Sequence, residues 1–183
     1  MVYIKGTVVL DTISAVRSRD GDAVYDRIVG LLDEDSQRVF RGQVIATGWY
    51  PLDAFVRFLA IDLRETAGGD EAVLVARSEA VVERQLRGVY RVFARMTSAE
   101  SMIRRLMNIH KTYFQGTSIS YDQVGRGRAT VRYTGLEPHH RLMEHVLVGF
   151  YRKALQIGGA KRVSVLCNRT AAGGAWELDV RWE

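Results

Sequence analysis

The strand pattern near the C-terminus constrains the fold more than any other part of the sequence. From Trp176 to Trp182 apolar residues alternate with charged ones, and this period of two is typical of a strand with one buried face. Residues 129–133 and 161–167 are also short, β-branched and alternating. These three stretches predict half-buried strands of one sheet.

A hairpin and a helix complete this region. Residues 117–124 are another strand candidate, and the turn 125–128 (Gly-Arg-Gly-Arg) joins them to residues 129–133. A helix from Pro138 to Ile157 then ends at two glycines. Its predicted buried residues are Leu142, Met143, Val146, Phe150, Ala154 and Ile157. The sheet is expected to have about four strands, mostly antiparallel, crossed by one long helix.

The preceding part of the chain is predicted to be helical. Apolar residues recur at helical spacing in 7–19, 22–32 and 51–67, and a long helix is expected over 70–96. Thr97-Ser98-Ala99-Glu100 has the form of a capping box and opens a helix to about Gln115. Residues 44–50 are predicted to form a loop that buries Trp49. The paired carboxylates Asp33 and Glu34 fall in a polar link with no convergent partner.

The predicted fold class is α+β, in one domain over residues 1–183. A mainly helical part, 1–115, packs on the roughly four-stranded antiparallel sheet of a strand-strand-helix-strand-strand unit, 116–183.

Composition excludes several classes of protein. Apolar residues make up 47% of the chain and charged residues 26%, as in ordinary globular proteins. No run of about 18 uncharged apolar residues predicts a membrane span. The start lacks a signal-peptide pattern, and the lone Cys167 excludes an internal disulfide or a multi-cysteine metal site. A cytoplasmic protein is expected.

The net charge of +5 does not by itself predict nucleic-acid binding. Of the 26 basic residues, 22 are arginine, and they are spread along the chain beside acidic residues. A row from Arg77 to Arg95 with Glu79 and Glu83 interspersed is interpreted as a solvated helix face.

Two parts of the chain resemble a known superfamily. Ile4-Lys5-Gly6-Thr7-Val8-Val9 followed by two helices is similar to the start of heme–nitric-oxide-binding (H-NOX) domains. The strand at 129–133, the helix to Ile157 and the final hairpin resemble their C-terminal half. Vinyl-reductase-type domains and transport-protein-particle (TRAPP) subunits share that half, and the nearest resemblance is to a myxobacterial paralogous family. The resemblance implies an α+β signalling or ligand-binding domain that often pairs.

The sequence departs from the heme-binding pattern of that superfamily. Heme-binding members hold the propionates with Tyr-x-Ser-x-Arg. Here Tyr133 remains, but Gly135 replaces the serine and Glu137 the arginine. His110 lies on the helix that carries the heme ligand, about one turn from the expected position near Met107. In vinyl-reductase-type domains two cysteines bind a metal, whereas here Trp176 stands in place of the second, so no metal site is expected.

Several residues have alternative interpretations. His110, on an apolar stripe, is interpreted as a core histidine with a hydrogen-bonded ring nitrogen; an axial heme ligand and a polar group of another ligand site are the alternatives. The group His139, His140, Glu144 and His145 is interpreted as an exposed helix start rather than a metal site. The turn 125–128 is interpreted as a basic hairpin tip rather than a phosphate site. No catalytic constellation is found.

The sequence therefore predicts a non-catalytic regulatory or scaffolding domain that acts through protein contacts and needs no cofactor. The alternative is a small-molecule sensor that holds heme or an apolar ligand between helices and sheet, with His110 and Tyr133 as the binding residues. A homodimer is expected, because the aromatic final strand with Trp176 and Trp182 is taken as an uncovered edge.

Overall fold

The structure is a computed structural model that describes residues 1–85, 98–136, 138–169 and 175–183. Within these ranges it contains seven α-helices and seven β-strands in two antiparallel sheets, so the predicted α+β class is confirmed. The chain forms two compact units, Met1–Val73 with Tyr113–Gly116, and Leu74–Thr112 with Thr117–Glu183.

The first unit is mainly helical. Its helices are α1 (Gly6–Asp20), α2 (Asp22–Gly30), α3 (Glu34–Arg41) and α4 (Leu52–Ala67). Three short strands, β1 (Tyr3–Lys5), β2 (Trp49–Pro51) and β3 (Phe114–Gln115), form an antiparallel sheet in the order β2-β1-β3. The predicted loop is present over residues 44–48, but Trp49 and Tyr50 lie in β2. Trp49 is only half-buried, with the Lys5 ammonium 4.3 Å from its ring centroid.

Aromatic packing and one helix cap organise this unit. The Phe40 and Phe58 rings stack with centroids 4.3 Å apart, and the Tyr25 hydroxyl donates to the Phe40 carbonyl. Asp33 caps α3 by accepting from the Ser36 amide. The prediction that Asp33 lacks a partner is therefore wrong.

The second unit contains the predicted sheet. Its helices are α5 (Val73–Gln85, with Leu74 onward in this unit), α6 (Ala99–Tyr113) and α7 (Leu142–Ile157), and a 3-10 turn spans Pro138–His140. Its strands are β4 (Ser118–Gly125), β5 (Arg128–Thr134), β6 (Ser164–Arg169) and β7 (Trp176–Arg181). All pair antiparallel in the order β4-β5-β7-β6. The helix predicted over 70–96 begins only at Val73, and its part over 86–96 falls outside the described residues, as does Thr97. Ser98 caps α6 by accepting from the Ser101 amide.

The final strand is not an edge. β7 lies between β5 and β6, with Tyr133 opposite Trp176 and Val131 opposite Leu178. Trp176 and Trp182 are 2% and 7% exposed. The reason given for a homodimer is thus wrong, although the oligomeric state itself stays a prediction.

Helices α5 and α7 approach closely through a glycine. A Cβ atom at Gly149 would lie 2.4 Å from the Val75 carbonyl oxygen. The Ser78 hydroxyl donates to the Val146 carbonyl, 2.7 Å away. Lys153 pairs with Glu83 at 3.2 Å, and Arg152 pairs with Glu79. Both glutamates take part in the contact between the helices. The predicted solvated face is wrong for Glu79, whose side chain is 20% exposed, whereas the Glu83 side chain is 46% exposed.

The buried stripe of α7 also differs from the prediction. Its large buried side chains are Leu142, Met143, Leu147, Tyr151 and Leu155. Val146, Phe150 and Ile157 are only half-buried. Among the described helices, none is both long and apolar enough to span a bilayer.

Candidate functional site

A cluster of polar side chains lies inside the second unit. The buried face of α6 carries Met102, Ile103, Leu106 and His110, which recur at helical spacing. His110 is 5% exposed. Its Nε2 atom lies 2.8 Å from the Thr117 hydroxyl, just before β4 begins. The prediction of a core histidine with a hydrogen-bonded ring nitrogen matches this geometry.

Two tyrosines extend the cluster. Alternation along β5 turns Ala129, Val131 and Tyr133 into the core, and the His110 ring meets the Tyr133 ring edge-on with centroids 5.0 Å apart. The Tyr133 hydroxyl lies 2.7 Å from the Tyr151 hydroxyl of α7. Both tyrosines are at most 2% exposed. We call His110, Thr117, Tyr133 and Tyr151 the buried cluster.

The buried cluster is uncharged near neutral pH. Burial lowers the pKa of the His110 imidazole from 6.5 to about 4, because a charged ring would lose its hydration. Burial also raises the pKa of the Tyr133 and Tyr151 phenols well above their usual range. None of these groups is poised to exchange a proton near pH 7, so the cluster suits hydrogen bonding rather than acid–base catalysis.

The other sequence candidates do not join this cluster. His139 and His140 lie in the 3-10 turn with rings 4.2 Å apart, and His140 is buried, so the predicted exposed helix start is wrong for His140. Arg128, at the hairpin tip, makes two hydrogen bonds to the Asp179 carboxylate, which agrees with the interpretation of a tip rather than a phosphate site.

Sequence reasoning missed Thr117 and Tyr151. Thr117 showed no signal of its own. Tyr151 belongs to a ridge of residues four apart, and this spacing was available in the sequence: Met143, Leu147, Tyr151 and Leu155.

The fold as a whole is of the H-NOX type. The chain is similar to the Fe(II) unliganded H-NOX protein from K. algicida, with 13% identity over 98% of this chain and 97% of that one and a TM-score of 0.74.

Other solved H-NOX structures agree. The H-NOX protein from S. oneidensis in the Fe(II)NO state gives 12% identity, 98% and 99% coverage and a TM-score of 0.72. A structure concerning heme distortion in the H-NOX family has 14% identity over 98% of this chain and 94% of that one, with a TM-score of 0.68. No family model and no curated protein matches the sequence significantly. The TM-scores over nearly the whole chain establish the fold alone, and function has to be argued from the site.

The residues of the buried cluster do not fit heme. Gly135, in place of the family's serine, has φ +88°, a conformation that glycine adopts without strain and a serine does not. The Tyr133 hydroxyl is bonded to Tyr151 rather than being directed at a carboxylate. The cluster contains no cation, so a propionate beside it would be a buried, uncompensated charge.

Removing one tyrosine hydroxyl should destabilise the protein by more than the loss of one hydrogen bond, because the other hydroxyl stays buried without a partner. Tyr133→Phe or Tyr151→Phe leaves the other phenol buried without its partner, and each is expected to lower the free energy of unfolding by about 1–3 kcal/mol. The double variant should lose less than the sum of the two. Urea unfolding of the four proteins measures this coupling, and strictly additive losses would contradict it.

Proposed function

We propose that this protein is a non-catalytic sensor domain that binds an uncharged, largely apolar small molecule at the buried cluster. The observation that carries the proposal is the placing of a few neutral polar groups within an apolar layer. Ligand sites are typically apolar with a small number of oriented polar groups. Ile103, Leu106, Val131 and Leu155 are at most 1% exposed and supply the apolar part of the unit's interior.

The chemistry of the cluster indicates the class of ligand. A molecule with one hydroxyl or carbonyl group can exchange hydrogen bonds with His110 and Tyr133, which are the proposed binding residues. A carboxylate would find no cation there. We therefore propose a neutral ligand and not heme. The likeness in fold to H-NOX proteins, one of them solved in the Fe(II)NO ligation state, supports a ligand-binding sensor.

The His110–Thr117 hydrogen bond offers a way to signal binding. It joins the end of α6 to the residue before β4, across seven positions of the chain. A ligand that bonds to the His110 Nε2 atom would compete with the Thr117 hydroxyl for that atom. Binding would therefore release the contact between helix and strand and change the surface near the end of α6.

A second function is favoured by a specific observation. The two tyrosine hydroxyls are already bonded to each other, and His110 to Thr117. This mutual pairing favours a regulatory or scaffolding domain whose interior is filled and which acts only through protein contacts.

A homodimer remains a proposal for either function. Sedimentation at tens of micromolar should then show dimer, and a monomer alone would contradict it.

Native purification followed by mass spectrometry of the solvent extract tests the sensor proposal. We expect one dominant neutral molecule at a near-stoichiometric ratio. Its occupancy should fall about tenfold in His110→Leu, which removes the polar contact. Leu166→Ala is the matched control, since Leu166 is 58% exposed on β6. An empty extract, with no change in melting temperature across a library of neutral compounds, would favour the scaffolding function instead.

A further inference from the structure

Basic residues occur along the whole chain, but one stretch contains few acidic residues to offset them. Residues 84–111 contain seven basic residues and a single acidic one, Glu100, which gives a net charge of +6 against +5 for the whole chain. The basic residues are Arg84, Arg87, Arg91, Arg95, Arg104, Arg105 and Lys111. Residues 126–169, with nine basic and two acidic residues, are another basic part of the sequence, so the choice between the two depends on which cations the fold leaves without a carboxylate partner.

The described cations of this stretch differ from most arginines elsewhere. Arg19, Arg57, Arg128, Arg132 and Arg152 each form an ion pair with a carboxylate. On α6, Arg104, Arg105 and Lys111 are exposed, and none of the three pairs with a carboxylate of the described residues.

These three cations share one side of α6. Helical spacing places Arg104, Asn108 and Lys111 in one row and Arg105 in the adjacent row, over about 10 Å of helix. The opposite side of the helix is the buried stripe that ends at His110. We call Arg104, Arg105 and Lys111 the basic face of α6.

The margins of the basic face are apolar. Met107 and Ile109 are half-buried and lie on its two sides, outside the exposed arc. Arginine and methionine are enriched in protein–protein interfaces, and arginine is frequent among the residues that dominate binding energy. A surface of this kind suits carboxylates carried on a protein chain, because arginine forms paired hydrogen bonds with them.

We propose that the basic face of α6 docks an acidic segment of a protein partner. Charge complementarity selects the partner: three cations with no carboxylate partner in the part of the chain that the structure describes favour a segment rich in glutamate or aspartate. Nucleic acid fits less well. With three phosphate contacts, the logarithm of the binding constant would change with the logarithm of the salt concentration with a slope of only about −3, which implies weak binding near physiological salt. The proposal does not depend on a ligand at the buried cluster.

Two charge-reversal variants test the docking surface. The first is Arg104→Glu/Arg105→Glu/Lys111→Glu. The matched control is Arg41→Glu/Arg126→Glu/Lys161→Glu, which changes the net charge equally at exposed cations that also lack a described ion-pair partner. The probe is a fluorescent twelve-residue peptide of glutamate and leucine, titrated by anisotropy near physiological salt. Circular dichroism establishes that both variants fold.

We expect the wild type and the control variant to bind the peptide with similar affinity, within about threefold, and the α6 variant to bind at least about tenfold more weakly. Equal losses in the two variants would show an effect of net charge alone and overturn the proposal. Absence of peptide binding by the wild type would overturn it as well. So would tighter binding of a sixteen-base-pair DNA duplex than of the peptide at the same salt concentration.

Discussion

Acidification from pH 7 to pH 4 is expected to lower the free energy of unfolding by about 2–3 kcal/mol through His110 alone. The pKa of this imidazole falls from 6.5 in the unfolded chain to about 4 in the folded one, so the unfolded state binds more protons between these values. Stability therefore decreases as the pH falls below 6.5 and levels off below 4. Urea unfolding at a series of pH values measures the slope.

His110→Gln is the control for this pH dependence. Glutamine does not titrate and can still form a hydrogen bond with the Thr117 hydroxyl. The free energy of unfolding of the variant should therefore depend less on pH between 6.5 and about 4. Asp33 acts in a separate window: the hydrogen bond from the Ser36 amide lowers the pKa of its carboxyl to about 2, and its contribution is lost only as the pH falls toward that value. An unchanged slope in His110→Gln would contradict the burial of a neutral imidazole.

Gly149→Ala is expected to destabilise the protein by about 1–3 kcal/mol. The new methyl group would lie 2.4 Å from the Val75 carbonyl oxygen and 2.8 Å from the Ser78 Cβ atom, so α5 and α7 would have to separate. Separation also weakens the Ser78–Val146 hydrogen bond.

Gly30→Ala supplies the matched comparison for Gly149. Gly30 is the last residue of α2, and a Cβ atom there meets nothing within 4 Å. Alanine at this position should stabilise by about 0.5–1 kcal/mol, because it reduces the freedom of the unfolded chain. Chemical denaturation of both variants gives the two values. Equal effects would show that the close approach of α5 and α7 is unimportant for stability.

The sequence predicted the four-stranded sheet because one of its faces is buried. Trp176, Leu178 and Val180 alternate with charged residues and are all buried. The small sheet formed by β1, β2 and β3 was not predictable in this way. Strands of two or three residues are too short to show a period, and their pairing joins segments far apart in the chain.

The buried cluster was predictable only in part. The apolar stripe of α6 correctly placed His110 in the interior, since its position on the helix depends on local spacing. Its partner Thr117 comes from another element, and the sequence contains no signal for that contact. Tyr133 was identified through a family motif, yet its hydroxyl is bonded to Tyr151, a residue whose burial depends on how α7 is rotated against the sheet.

Gly135 explains physically why the family motif is incomplete. Its φ of +88° lies in the region that glycine occupies at little cost and that a serine side chain disfavours. A serine at this position would therefore be strained in the backbone conformation that Gly135 adopts. The departure from the motif and the local conformation are consistent with each other.

Titration of the purified protein with hemin distinguishes a heme site from a buried cluster that is neutral and already hydrogen-bonded. We expect the protein to purify colourless and added hemin to give no saturable Soret band. A stoichiometric Soret band that disappears in His110→Ala would contradict the account and identify a heme-based sensor.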